Sequence, residues 1–235
     1  MRHSPARAHY QQAMAAAQQP ENTDQPRDKN AANAYELMLA KLADDKRRLK
    51  EIKSLELKAA LKLTLLPEYA DWIAGVLEGD NGRQDDVLMT VFVWAVDAGQ
   101  FATALDIGEY ALRHNLVMPD QYQRDVPCVL AEEIADFALK IPEDQLLVLR
   151  PYLDRAIELT DGKDMPDQVR AKLYKASGYA MRADGDLAWA RARLVRAFEL
   201  FDKVGVKKDI ERIDTLIKNS SPAVDAEKSA ETGSA

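Results

Sequence analysis

The fold is decided by AYELMLAKLADDKRRLKEIKSLELKAALKLTLL, residues 34–66, a stretch of 33 residues without glycine or proline. It is rich in alanine, leucine, lysine and glutamate, which are strong helix formers, and it predicts one helix of about 50 Å. A heptad register places apolar residues at eight of ten positions, which is typical of a coiled coil or a helix hairpin. The eight predicted oligomerisation residues are Tyr35, Met38, Leu42, Leu49, Ile52, Ala59, Leu63 and Leu66, and Asp45 and Glu56 interrupt their seam.

The last third of this stretch is apolar on nearly all sides. Leu57, Leu61 and Leu65 add a second apolar stripe, which one short neighbouring helix cannot cover together with the first. Left uncovered in a monomer, the two stripes would form a large exposed apolar patch. We therefore expect a homo-oligomer larger than a dimer.

The middle of the stretch is basic, with eight cations and four acids between Lys41 and Lys62. Among the opposite charges four residues apart, Asp44 with Arg48 and Arg47 with Glu51 are predicted to form ion pairs. The excess of cations indicates either a surface that contacts DNA phosphates or a solvated helix face. The predicted DNA-binding residues are Lys46, Arg47, Arg48, Lys50 and Lys53, together with Arg2 and Arg7 near the N-terminus.

The charge of the chain is unevenly distributed. Residues 1–66 carry 12 basic and 8 acidic side chains, whereas the whole chain of 235 residues has a net charge of −7. Residues 1–66, which we call the front of the chain, therefore have a net charge of +4, and residues 67–235 have a net charge of −11. This asymmetry predicts that any contact with a polyanion is confined to the front.

Composition also bounds the environment of the protein. A single cysteine, Cys128, excludes an internal disulfide and a multi-cysteine metal site. The sequence has no run of about 18 apolar residues, which a membrane-spanning helix would need, and residues 1–20 lack the apolar region of a secretion signal. We expect a protein of the cytoplasm that has no membrane partner.

Beyond residue 85 the sequence predicts antiparallel helix pairs. Gly99, Phe101, Ala104, Gly108 and Ala111 have the same spacing as a second set that begins at Gly185, and a weaker copy begins at Asp144. This pattern resembles the second half of a tetratricopeptide repeat, although generic helix hairpins would also produce it. The predicted pairs are 85–98 with 101–115, 127–141 with 144–160, and 167–182 with 186–204, followed by a helix over 206–218.

The predicted fold class is all-α: a long N-terminal helix of the oligomerisation type, then helix pairs. We divide the chain into a flexible basic arm (1–30), a segment for oligomerisation and DNA contact (31–82), a helical body (83–218) and a disordered tail (219–235). The apolar run at 87–96 could also be a buried strand, but the helix-pair pattern after it favours a helix.

No catalytic motif is evident. The phosphate-binding pattern GxxxxGK[ST] and the nucleophile pattern GxSxG are both absent. A metal-dependent nuclease needs converging carboxylates. The acidic groups are 85–86, 132–136, 161–164 and 184–186, and each has a structural explanation as a helix start, a solvated helix face or a turn. We predict no catalytic residue, no metal ligand and no cofactor.

Three stretches carry a family resemblance. They are AYELMLAKLADDKRRLKEIKSLELKAALKLTLLPEYADWIAGVL at 34–77, QDDVLMTVFVWAVDAGQFATALDIGEYALRHNLVMP at 84–119, and CVLAEEIADFALK at 128–140. Together they resemble the small subunit of the DNA-packaging terminase of peduovirus-type temperate tailed phages. The resemblance implies a ring-like homo-oligomer that binds double-stranded viral DNA at the packaging site and recruits the large ATPase and nuclease subunit in the host cytoplasm.

Two other functions remain open at this stage. The family carries the name terminase endonuclease subunit, which would make the chain a metal-dependent nuclease that itself cuts concatemeric DNA. Alternatively, the helix pairs could form a scaffold that binds only proteins and has no DNA role. The resemblance favours the basic stretch as a nucleic-acid surface, with cutting done by the assembled complex.

Overall fold

The computed structural model describes residues 5–17 and 29–220. Within these ranges the chain is all-α and contains no strand, which confirms that the chain is of the predicted all-α class. The α-helices are α1 (Pro5–Ala16), α2 (Lys29–Glu51), α3 (Leu55–Leu65), α4 (Ala70–Gly79), α5 (Asp86–Asp97), α6 (Phe101–His114), α7 (Val126–Ala138), α8 (Arg150–Thr160), α9 (Asp167–Ala183), α10 (Leu187–Leu200) and α11 (Lys207–Ser220). Three 3₁₀ turns, Leu66–Tyr69, Glu143–Leu149 and Asp202–Val204, precede α4, α8 and α11. None of the described helices is both long and apolar enough to cross a membrane.

The predicted long helix is divided into α2 and α3 at Ser54. Ser54 has an extended backbone, with φ −69° and ψ 129°, and its Oγ accepts a hydrogen bond of 3.3 Å from the Leu57 N–H. Serine favours such N-cap positions because its hydroxyl competes with the helix for backbone donors. The prediction of one continuous helix over 34–66 was therefore wrong, because the lack of glycine and proline does not exclude a helix start.

The apolar seam of α2 is buried inside the same chain. Met38, Leu42 and Leu49 belong to the main hydrophobic core, and α2 packs against α1 and α5. Tyr35 is partly buried and stacks on Trp72, with a distance of 6.0 Å between the ring centroids. This half of the predicted oligomerisation seam is thus already occupied by the protein's own helices.

The C-terminal half of the seam lies at the surface, with one exception. Ile52 and Ala59 are partly exposed and Leu63 is exposed, whereas Leu66 is buried where the chain turns towards α4. The two halves of the seam therefore face different environments.

Helix α1 lies against α4 in very close contact. Gly75 and Gly79 leave room for it, since a Cβ at Gly75 would lie 2.2 Å from the Gln12 carbonyl oxygen and one at Gly79 would lie 2.7 Å from Ala16 Cα. Ala15 of α1 is fully buried in this contact. Residues 5–16 therefore differ from the flexible arm predicted for 1–30, because small residues on both helices allow the backbones to approach.

The three predicted helix pairs are present as α5–α6, α7–α8 and α9–α10, but the predicted 144–160 helix is 3₁₀ up to Leu149 and α-helical only from Arg150. Every residue from Val87 to Val96 is buried, and the run is helical as predicted. Gly108 and Gly178 lie at helix crossings, where added Cβ atoms would clash with Leu130 and Leu194. Helices α9–α11 enclose a second, smaller core beside the main one.

The contact between α1 and α4 predicts the effect of enlarging Gly75. We expect Gly75→Val to detach α1 and to lower the free energy of unfolding by about 1–3 kcal/mol, because the side chain overpacks the contact. Hydrogen exchange of residues 5–17 measures the detachment and denaturant unfolding measures the stability. Ala70→Val, at an exposed position of the same helix, is the matched control. Unchanged exchange in the Gly75→Val protein would show that α1 does not depend on this contact.

Candidate nucleic-acid interface

All three predicted DNA-binding lysines are free at the surface. Lys46 and Lys50 lie one helical turn apart on one flank of α2, and Lys53 follows in the break before α3. All three are exposed, and within residues 5–17 and 29–220 none of them forms an ion pair or a side-chain hydrogen bond. Of the five predicted cations between residues 46 and 53, these three have no acidic partner among the described residues.

Arg47 and Arg48, the two predicted DNA-binding arginines of α2, form ion pairs, but not with the acids that the four-residue spacing suggested. Arg47 pairs with Asp44, and Arg48 Nη1 lies 2.9 Å from Asp45 Oδ1. The predicted pairs Asp44 with Arg48 and Arg47 with Glu51 are therefore wrong. Pairs at three-residue spacing form instead, because residues three and four apart are both neighbours on a helix surface. Both arginines remain more than half exposed.

Asp45 is a buried carboxylate at the base of the basic surface. Its Oδ2 accepts hydrogen bonds from Lys41 Nζ at 2.7 Å and Tyr69 Oη at 2.8 Å, and its Oδ1 accepts one from Arg48. Burial alone would raise the pKa of the carboxyl, but the hydrogen bonds from Lys41 and Tyr69, followed by that from Arg48, lower it below its usual value. Asp45 is therefore ionised and fully paired at neutral pH.

Sequence reasoning treated Asp45 only as an interruption of the apolar seam. The signal that could have identified its role is local, since an acid at a core position has Lys41 four residues before it and Arg48 three residues after it. A buried charge needs such partners. The third partner, Tyr69, lies 24 residues away in the chain, and only the tertiary structure brings it to the carboxylate.

The N-terminal part of the predicted interface is only partly visible. Arg2 lies outside the described residues, and so does the side chain of Arg7, whose backbone is in α1. Helix α1 packs on α2 as well as on α4. Helix α1 is therefore attached to the same helix that carries the free lysines.

Beyond the break at Ser54, the cations of α3 are less available for contact with DNA. Lys62 pairs with Asp97 at the end of α5, and Lys58 is partly buried. The basic surface thus ends near Lys53. We define it by the five cations Lys46, Arg47, Arg48, Lys50 and Lys53.

Asp85, one of the acids considered for metal binding, has a structural environment. It caps α5, with Oδ1 accepting from the Leu88 N–H at 2.9 Å and Oδ2 accepting from Trp72 Nε1 at 3.0 Å. Burial raises its pKa to about 6, and these hydrogen bonds oppose the increase. The side chain links α4 to the start of α5.

Two of the other acidic groups, 132–136 and 184–186, pair with cations on neighbouring segments. The pairs are Arg124 with Glu132 and Glu133, Lys172 with Asp136, and Arg150 with Asp184 and Asp186. In the part of the chain that the structure describes, no group of three or more His, Cys, Asp or Glu residues is arranged to hold a metal ion.

Comparison with known proteins places the chain in a family. The family described as phage small terminase subunit matches residues 39–168, which is more than half of the chain. The terminase endonuclease subunit of Escherichia phage P2 is 48% identical over 187 residues, covering 80% of this chain and 76% of that protein. The probable terminase endonuclease subunit of Haemophilus phage HP1 is 28% identical over 162 residues, covering 63% of this chain and 57% of that protein. No solved structure matches the chain. The match to the family over α2–α8 and the identity to the P2 protein show that this chain belongs to the phage small terminase subunit family.

Proposed function

We propose that the chain is the DNA-binding and assembly-forming subunit of a phage packaging terminase, and that the basic surface contacts viral double-stranded DNA. Membership of the small terminase family supports a role in phage DNA packaging. The observation that carries the DNA contact is the group of three exposed, unpaired lysines at the end of α2. Its site of action would be the host cytoplasm, where viral DNA is packaged.

Electrostatics support this location over the rest of the molecule. Residues 67–235 have a net charge of −11 and would repel a polyanion, so binding requires a local concentration of positive charge. Cations without acidic partners contribute most, since a phosphate does not have to displace an existing ion pair. Lys46, Lys50 and Lys53 meet this condition, and Arg47 and Arg48 flank them.

Replacement of the three lysines tests the DNA contact. We expect Lys46→Ala, Lys50→Ala and Lys53→Ala in one protein to weaken duplex binding and to lower the log–log salt slope by about 0.9 per lost phosphate contact. Fluorescence anisotropy with a labelled DNA duplex over a salt titration measures both quantities. Helicity and thermal stability should stay unchanged, because these side chains make no described contact.

The matched control removes three lysines at the other end of the molecule. Lys163, Lys203 and Lys208 are exposed and have no ion-pair partner among the described residues. Their replacement by alanine changes the net charge equally and should leave the salt slope as in the wild type. Equal losses in the two triple variants would mean that net charge, rather than the basic surface, determines binding.

We further propose that copies of the chain assemble through α3. Leu65 is the only residue of α3 that is buried, whereas Leu55, Leu57 and Leu63 are 81%, 61% and 44% exposed. A groove of about 410 Å³ continues from Leu63 along α4 and has mainly apolar walls. Exposed apolar surface of this kind is typical of protein interfaces. In a ring, repeated basic surfaces would bind one duplex by avidity.

Charged substitutions on α3 test the assembly. We expect Leu57→Asp with Leu63→Asp to convert the wild-type oligomer to monomer at micromolar concentration in native mass spectrometry, because an interface cannot bury unpaired carboxylates without a large cost. Leu216→Asp, at an exposed leucine of α11, is the control and should not change the mass. A wild-type chain that is only monomeric under these conditions would contradict the proposal.

Recruitment of the large subunit is the third part of the proposal. It is supported by family membership and by the polar composition of residues 219–235, most of which lie outside the described ranges. Truncation after Lys218 should leave folding and DNA binding intact and weaken association with the large subunit. A pull-down with the purified large subunit measures this, and unchanged capture would place the docking site elsewhere.

A nuclease is the second candidate function, because both relatives are named endonuclease subunits. Incubation of the isolated chain with plasmid DNA and Mg²⁺ distinguishes the two functions. Cleavage that is lost on addition of a chelator would favour the nuclease. DNA binding without cleavage would favour cutting by the complex with the large subunit. Salt-sensitive binding to DNA separates both from a scaffold that binds only proteins.

A further inference from the structure

We propose that Asp45 is a positioning residue for DNA binding. Asp45 holds the Arg48 guanidinium in a fixed orientation at the surface before a DNA phosphate binds to it. The inference rests on the proposed function of the basic surface. It adds a buried acidic residue to the residues on which DNA binding by that surface depends. An aspartate beside a DNA-binding surface would ordinarily oppose binding, since it repels phosphate. The geometry around Asp45 supports the opposite effect.

The Asp45 carboxylate is held by Tyr69 and Lys41 as well as by Arg48. Its Oδ2 is bonded to Tyr69 Oη at 2.8 Å, and Tyr69 is fully buried with its ring edge-on to Trp94. Lys41 bonds to the same oxygen, pairs with Glu68 at 3.0 Å, and lies 4.0 Å from the centre of the Tyr69 ring. The carboxylate therefore cannot rotate without breaking several contacts, and its Oδ1 has a defined direction towards Arg48.

Arg48 is attached to this carboxylate at one corner and is otherwise open. Only Nη1 bonds to Asp45 Oδ1, at 2.9 Å, whereas a guanidinium has five N–H donors in a planar fork. The side chain of Arg48 is 56% exposed, and its remaining donors have no hydrogen-bond partner among the described residues. Binding a phosphate to an arginine that is already ordered loses less side-chain entropy than binding to a free one.

The adjacent pair, Arg47 with Asp44, provides an internal comparison. Its side chains are 76% and 66% exposed, and among the described residues Asp44 has no second partner that would fix it. Asp44 thus neutralises charge on the surface without positioning Arg47. The two aspartates are neighbours in sequence and carry the same charge, but only Asp45 is anchored in the core.

This difference predicts effects of opposite sign for the same substitution. Asp44→Asn removes a negative charge that repels DNA, and we expect affinity equal to or above that of the wild type. Asp45→Asn also removes a negative charge, yet we expect it to weaken binding by about three- to tenfold, which is the usual cost of ordering one long side chain. Anisotropy with a labelled duplex, at ionic strengths between about 50 and 200 mM, measures both.

A double-mutant cycle of Asp45 and Arg48 distinguishes positioning of the Arg48 guanidinium from a general effect on the fold. In an Arg48→Ala background, Asp45→Asn should cause no further loss of affinity, because there is no guanidinium left to orient. A loss of the same size in both backgrounds would overturn the proposal. So would binding by Asp45→Asn that matches or exceeds the wild type, as expected for a residue that only repels DNA.

Tyr69→Phe keeps the inference testable if Asp45→Asn does not fold. It removes the hydroxyl that anchors Oδ2, retains the ring beside Trp94 and Lys41, and leaves the net charge unchanged. Circular dichroism confirms folding before binding is measured. Weaker DNA binding by folded Tyr69→Phe supports the proposal, and wild-type affinity would overturn it, since Tyr69 is buried and cannot touch DNA itself.

The lysine triple variant distinguishes failure of this inference from failure of the proposed function. If the lysine variant loses DNA binding while Asp45→Asn behaves as Asp44→Asn does, the basic surface binds DNA but Asp45 does not position Arg48. If the lysine variant binds DNA as the wild type does, the basic surface is not the DNA contact, and the inference falls with it.

Discussion

The hydrogen bond from Tyr69 to Asp45 determines how the front of the molecule is arranged. It joins α2 to the 3₁₀ turn before α4 in the middle of an otherwise apolar contact. A buried carboxylate without partners would cost several kcal/mol, and Lys41 and Arg48 of the same helix supply only part of its hydrogen bonding, so α2 packs in the orientation that brings Asp45 to Tyr69. The flank of α2 that carries Lys46 and Lys50 is thereby left at the surface. The exposure of Lys46 and Lys50 is a consequence of that orientation.

One helix therefore serves both the core and the surface. The Met38, Leu42 and Leu49 side of α2 is covered by α1 and α5, which leaves its cationic side to interact with partners. A charge-rich face carried by a helix that is anchored in the core is rigid, and rigidity lowers the entropy lost on binding. This arrangement suits the proposed function, in which the basic surfaces of several copies would contact DNA phosphates at fixed spacing.

In the proposed function, the break at Ser54 separates the DNA contact on α2 from the assembly surface on α3. Because α3 starts anew with its own N-cap, its apolar residues need not follow the direction of α2 into the core. Leu57 and Leu63 remain outside, next to an apolar groove along α4. At the other end of the chain, α9–α11 have a core of their own, and the family match ends at the start of α9. Helix α9 also contributes Val169, Leu173 and Ala176 to the main core, so the C-terminal helices pack directly on the part that the family match covers.

The sequence by itself determined the helical class, the helix pairs and the position of the basic surface. Periodic apolar residues and the small residues at 104, 108, 190 and 197 are local signals, because helix packing repeats with the helical turn. Only the tertiary structure decided which face of α2 is covered, which cations are paired, and that α1 lies on Gly75. These depend on partners far apart in the chain, such as Tyr69 for Asp45 and Gln12 for Gly75, and no periodicity within a single helix encodes them.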